Sequence, residues 1–222
     1  MVGPSGPQLE MRVLRPTQRS NDEIVADVAA CVRAGGTVIF PTETVYGIGC
    51  DPDNVTAVAA IYRAKARSDD KPLALHVTDA QQAAPFVTRW SPLARSAIDA
   101  FWPGPVAIVV ERNPRRAERA ACAFATISLR CPDDTLCQAI LRATGPLAAT
   151  SANVSGAPAF FGEGSGESNL PPADLAVLAG PTKLRAESTI VDCTSDAPVV
   201  LREGAVPAGV IRSRLGTLRT AR

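Results

Sequence analysis

The sequence predicts an α/β or α+β fold, a single domain with one twisted, mixed sheet and flanking helices. Two observations carry this. Short apolar runs bounded by Gly or Pro alternate with stretches whose apolar residues recur at helical spacing. The 222 residues, 46% of them hydrophobic and 20% charged, also suffice to bury a substantial core, and they contain no internal repeat.

In order along the chain, residues 1–12 are rich in Gly and Pro and read as a disordered lead-in. Ser20-Asn-Asp-Glu23 forms a capping box, in which the serine oxygen and the glutamate each satisfy a free backbone N–H at a helix start. Ile24, Val28, Cys31 and Val32 follow at helical spacing until Gly35-Gly36 stops the helix. Thr37-Val-Ile-Phe40 suits a buried strand, and Pro41–Gly49 reads as a polar loop. A second helix begins near Asn54, carries Val55, Val58, Ile61 and Tyr62 on one face, and reaches Lys65 and Arg67. Pro72–Val77 is a further strand. Ser91-Pro92 supplies an N-cap and a first-turn proline for a helix to about Phe101.

Trp102–Pro105 is a turn, and Val106–Val110 and Thr126–Arg130 are strands on either side of a charged loop, Glu111–Arg119, expected to be solvated. Asp133 or Asp134 caps a helix through Leu136, Ile140 and Leu141. Pro146–Asn153 is a strand running into a polar turn, and Phe161–Ser168 is expected to be mobile. Ser188–Asp192 and Pro198–Arg202 close the pattern as strands.

The 23 basic and 22 acidic residues nearly cancel, so any RNA contact is local and weak rather than a global attraction. No apolar run approaches the roughly 20 residues a membrane span requires, and the N-terminus lacks the regions of a signal peptide, so a cytoplasmic protein is expected. Six cysteines without a C-x-x-C pair, together with one histidine, argue for reduced thiols and against zinc or another bound metal.

Several chemistries are absent as motifs. There is no G-x-x-x-x-G-K-[ST] loop, Gly47-Ile-Gly49 does not continue into G-x-G-x-x-G, and no G-x-S-x-G elbow accompanies His76. What remains is a set of polar residues at strand ends and in turns: Thr42, Thr44, Lys65, Arg67, His76, Arg130, Ser151, Asn153, Ser188 and Arg202. Lys and Arg with hydroxyls and an amide suit a phosphorylated or carboxylated ligand. Each has a bland alternative: helix-dipole partners for Lys65 and Arg67, an ion pair for Arg130, a core histidine for His76, turn formers for Ser151 and Asn153.

Eight segments, in order, resemble the threonylcarbamoyl-AMP synthase (YrdC-like) family over about residues 20 to 210. They are Gly36-Thr-Val-Ile-Phe-Pro-Thr-Glu-Thr-Val-Tyr-Gly-Ile-Gly49, Lys65-Ala-Arg67, Pro72-Leu-Ala-Leu-His-Val77, Phe101-Trp-Pro-Gly-Pro105, Ser128-Leu-Arg-Cys-Pro132, Ser151-Ala-Asn-Val-Ser-Gly156, Glu187-Ser-Thr-Ile-Val-Asp192 and Val200-Leu-Arg-Glu-Gly204. The resemblance implies a mostly antiparallel twisted sheet with a deep, concave, basic pocket. It implies condensation of L-threonine, bicarbonate and ATP, with Mg2+ on the triphosphate, to threonylcarbamoyl-AMP and pyrophosphate. A partner transferase would then modify tRNA.

By the same resemblance Thr44, His76, Arg130 and Ser188 contact threonine, while Lys65, Arg67, Lys71, Thr126, Ser151, Asn153 and Arg202 hold ATP. Lys65 and Arg67 take the electrostatic catalytic role. The expected partition is a catalytic domain over 13–212 and a tail over 213–222, the short single-domain form. The chain departs from the family pattern at Lys71 for a common asparagine, Thr150 for proline, Ala157-Pro-Ala-Phe-Phe for a Ser-Pro-Thr-rich loop, and Glu203 for proline. Two alternatives stay open. One is a related carbamoyl-adenylate enzyme acting on another amine; the other is a non-enzymatic RNA binder using Arg112, Arg115, Arg116, Arg119, Arg212, Arg214, Arg219 and Arg222.

Overall fold

A computed structural model describes residues 11–216. Most of the lead-in expected over 1–12, and Arg219 and Arg222, lie outside the described residues. The capping box forms as the sequence demands. Ser20 Oγ accepts from Glu23 N, the Glu23 carboxylate accepts from Ser20 N, and α1 runs Asn21–Arg33. Asn54 caps α2 (Val55–Lys65), Ser91 caps α4 (Pro92–Phe101) behind a first-turn proline, and Asp134 caps α5 (Thr135–Thr144). Two short helices complete the set, α3 (Ala80–Ala83) and α6 (Ala208–Leu215).

Ten strands form one mixed sheet: β1 (Arg12–Leu14), β2 (Val38–Phe40), β3 (Gly47–Cys50), β4 (Ala74–His76), β5 (Val106–Glu111), β6 (Thr126–Arg130), β7 (Leu147–Ser151), β8 (Leu175–Val177), β9 (Thr189–Asp192) and β10 (Val199–Arg202). Their order across the sheet is β1-β8-β2-β3-β7-β4-β6-β5-β9-β10. Five neighbouring pairs are antiparallel and four parallel, so the antiparallel majority is narrow. The sequence reading missed β1, β3, β8, α3 and α6. Arg12 begins a strand and α6 continues to Leu215, so ordered elements pass both domain boundaries drawn from sequence.

Strand alternation divides the sheet into unlike faces. One face carries Ile48, Leu75, Ile108, Leu129 and Val191, all fully buried with α2 and α4 residues such as Ile61 and Ala97 in the larger core. The other carries Gly47 and Gly49, Ala149 and Ser151, Ala74 and His76, Ser128 and Arg130, Ala107 and Val109. At its β1–β2 end that face is covered by α1 and α5 through Val28, Val32, Ile140 and Leu141. Further along, small side chains leave it hollow.

Gly49 shows how tightly the hollow's edge is packed. A Cβ there would sit 3.0 Å from the Phe40 ring and 3.1 Å from Ala149 Cβ.

Candidate active site

The hollow is a cavity of about 410 Å³. Its floor follows the strand registers: Ala74 pairs with Ser128 and Ser128 with Val109, while His76 pairs with Arg130, Arg130 with Ala107, and Ala107 with Ile190. One rim carries Arg67, Asp70 and Lys71, and the other carries Glu187, Ser188, Leu201 and Arg202. A register shift between Val200 and Arg202 leaves Leu201 outside the ladder and 51% exposed. Four cations against two carboxylates make the lining positive.

Arg130 is the most constrained of these cations, being only 4% exposed. Its Nη2 lies 2.9 Å from Glu43 Oε2, and the carboxylate is equally buried. Among the described residues no N–H is aligned on either carboxylate oxygen of Glu43, so the contact is Coulombic and the carboxylate has no hydrogen-bond partner. Arg130 Nη2 also donates to Thr44 Oγ1 at 2.5 Å. Thr42 Oγ1 donates to Val45 O at 2.6 Å, which uses its single proton, so the 3.0 Å contact between the two threonine hydroxyls has Thr44 as donor. Thr44 therefore presents a lone pair to Arg130. Arg130 Nε, His76 Nδ1 and Ser128 Oγ are buried with no protein partner among the described residues.

His76 packs edge-on against Phe40, with ring centroids 5.7 Å apart. Burial first, then the Arg130 charge, push its pKa down to about 3. It is therefore neutral across the physiological range and offers acceptor chemistry, not a positive charge. As this chain has one histidine, its proton NMR signals are unambiguous. They should show no titration step between pH 8 and 5 in the folded protein; a midpoint near 6.5 would contradict the buried neutral ring.

Lys65 is not a cavity-lining residue. It continues the buried face of α2 after Ala57, Val58, Ile61 and Tyr62, is 2% exposed, and its Nζ donates to the backbone oxygens of Ser151 and Asn153. The helix then ends at Ala66 in a left-handed conformation (φ 49°), which turns Arg67 toward the rim. Arg67 Nε donates to Lys71 O at 3.0 Å and Nη2 to Pro72 O at 2.9 Å. Across the mouth, Arg202 holds Glu187 at 2.8 Å and donates to Ser188 O at 2.9 Å.

Of the residues singled out from sequence, Thr42, Arg67, Lys71, His76, Arg130, Ser151, Ser188 and Arg202 line the cavity. Thr44 lies behind Arg130. Asn153 is buried and staples its own turn, donating to Val154 O and Ala157 O at 3.0 and 2.7 Å. Thr126 shares the face of Ser128 but stands opposite Glu111, beyond the cavity. Ser128, Glu43 and Glu187 were missed.

The loop after Glu111 is not simply solvated. Arg112 is buried, donating to the carbonyls of Phe124, Asn113, Pro114 and Arg116. Arg116 and Arg119 are paired with Asp53 and Asp69 at 2.7 and 2.6 Å. Three arginines of the RNA-binding alternative thus have internal work. All six cysteines are free, and no helix among the described residues is long and apolar enough to cross a membrane.

Fold and cavity together define a class: an α/β domain whose sheet carries, on its open face, a cavity lined by more cations than carboxylates. The particular family follows from likeness. The family model for Sua5, YciO and YrdC proteins, described as telomere recombination, matches residues 30–204. The threonylcarbamoyl-AMP synthase of Bacillus subtilis is 35% identical over 202 residues, covering 90% of this chain and 58% of the relative. A Mycobacterium tuberculosis relative is 40% identical over 202 residues, covering 90% of this chain and 92% of its own length. The crystal structure of Pyrococcus abyssi Sua5 complexed with L-threonine superposes with a TM-score of 0.84 at 28% identity, covering 95% of this chain and 62% of that one. The chain belongs to the YrdC/Sua5 family of threonylcarbamoyl-AMP synthases.

Proposed function

We propose that this chain is a threonylcarbamoyl-AMP synthase, using L-threonine, bicarbonate and ATP, and that its product passes to a transferase acting on tRNA. The observation that carries the reading is one cavity with two kinds of wall. A buried Arg130 beside neutral His76 and Ser188 suits an amino acid, and an outer rim of Arg67, Lys71 and Arg202 suits phosphates. The Arg130 guanidinium takes the threonine carboxylate, with Thr44 and Glu43 holding it from behind.

The chemistry needs no protein nucleophile. The threonine amine adds to the carbon of carbon dioxide and loses a proton, giving a carbamate; from bicarbonate the same C–N bond forms as the carbon expels water. A carbamate oxygen then attacks the α-phosphorus and pyrophosphate leaves. Holding the reactants in line and spreading phosphate charge over Arg67 and Arg202 supplies the rate. Mg2+ arrives on the triphosphate. Lys65 acts one step back, fixing the turn that carries Ser151.

The test is pyrophosphate release from ATP and bicarbonate, with each amino acid added singly and the adenylate weighed by mass spectrometry. Release that requires threonine and yields a threonylcarbamoyl-AMP mass is the expected result. Release with another amine alone would overturn the substrate and keep the chemistry.

A further inference from the structure

We infer that Tyr62 is a positioning residue for the phosphate-binding rim, its hydroxyl fixing the Lys71 carbonyl on which the Arg67 guanidinium rests. This rests on the reading of that rim as the ATP side of the cavity. Between Arg67 and Pro72 the chain reads Ser68-Asp-Asp-Lys71, four exposed residues with no ring to set their backbone. Arg67 is half-buried, yet two of its five N–H groups are spent on carbonyls of this same segment, leaving three for a ligand. Its aim is therefore only as firm as those carbonyls.

Tyr62 supplies the firmness. It lies on the buried face of α2, 4% exposed, and its hydroxyl donates to Lys71 O at 2.8 Å, the same oxygen that takes Arg67 Nε at 3.0 Å. One carbonyl thus accepts both donors, one from the core and one from the rim. Because the hydroxyl's proton goes to Lys71 O, the 3.0 Å contact with Cys122 has the thiol donating to the phenol oxygen. The ring itself is held independently, with the Arg119 guanidinium 5.0 Å above it. Removing the hydroxyl therefore leaves the core packed and frees the segment that aims Arg67 and Lys71, together with the Cys122 thiol, whose own removal serves as the control.

The experiment is calorimetric binding of Mg·ATP and, separately, of L-threonine to the wild type, Tyr62→Phe and Cys122→Ala, with a melting temperature for each. Tyr62→Phe should weaken ATP about five- to tenfold, leave threonine affinity unchanged, and lower the melting temperature by no more than about 2–4 °C. Cys122→Ala should match the wild type, since Tyr62 keeps its bond to Lys71. Unchanged ATP affinity in Tyr62→Phe would overturn the inference, as would an equal weakening of both ligands or the same loss in Cys122→Ala. A wild type that binds threonine but no ATP would instead bring down the reading of the rim, and the positioning role with it.

Discussion

Replacing Arg130 with methionine should cost both folding and function, and the two losses should separate when Glu43 is changed as well. The single variant leaves the Glu43 carboxylate 3% exposed, with neither its ion-pair partner nor a hydrogen bond. Breaking a buried pair in this way costs about 3–5 kcal/mol, which for a chain of this size is a fall of roughly 6–20 °C in melting temperature. With Glu43→Leu added, no uncompensated charge remains and most of the stability should return, because an apolar pair of similar volume is often neutral in such sites. Activity should not return. On the proposed reading the threonine carboxylate loses the deeply buried cation of the cavity floor, so kcat/KM for threonine should stay down about 10²–10³-fold in both variants. Turnover recovered in the double variant would show that Arg130 serves folding alone.

Much of this architecture is legible in the sequence because its signals are local. The Ser20–Glu23 box, Ser91-Pro92 and Asp134 set helix starts where the side chains dictate. What was not legible depends on partners far along the chain. Gly47–Gly49 reads as the end of the Pro41–Gly49 loop, since glycines lack strand propensity; it belongs to a strand, Gly47–Cys50, because Phe40 and Ala149 need a neighbour without a side chain. Three-residue strands such as Arg12–Leu14 and Leu175–Val177 are too short for alternation to register, and they stabilise one another across the sheet.

The same limit governs the site. Residues on floor and rim were found by type, but Glu43 was read as part of a polar loop, because nothing in Pro-Thr-Glu-Thr shows that Arg130 will stand 2.9 Å away. Arg112 was misread for the converse reason: a basic residue in a charged stretch looks solvated until four carbonyls close around it. Lys65 did carry a signal. Positions 57, 58, 61, 62 and 65 are one helical face, so the spacing places its side chain with the core rather than at the surface.

That placement makes Lys65 and Arg67 different experiments, although only one residue separates them. Arg67→Ala should reduce kcat/KM for ATP about 10²–10³-fold while changing stability by no more than about 1 kcal/mol, since a half-buried rim cation supports charge in the transition state and little packing. Lys65→Met should reduce it by a similar factor through the turn it holds, because the Asn153 carbonyl loses its Lys65 donor and the Ser151 carbonyl keeps only the Asn153 N–H. Its distinguishing mark is pH. Burial, followed by the Arg67 charge, brings the Lys65 pKa down to about 8 from 10.5, with Glu187 opposing. Below pH 8 the ammonium is charged in both folded and unfolded chains, and its desolvation cost is fully present. Between 8 and 10.5 the folded protein sheds the proton while the unfolded chain keeps it, so this group makes stability rise with pH. The neutral amine still has two N–H groups for two carbonyls, so the cage survives the titration. Wild-type stability measured relative to Lys65→Met should therefore climb by on the order of 1–2 kcal/mol across that window, after allowance for solvent screening. A flat difference would place the ammonium in water, and a falling one would mean that the folded protein holds the proton more tightly than the unfolded chain; either outcome overturns the buried, destabilised ammonium.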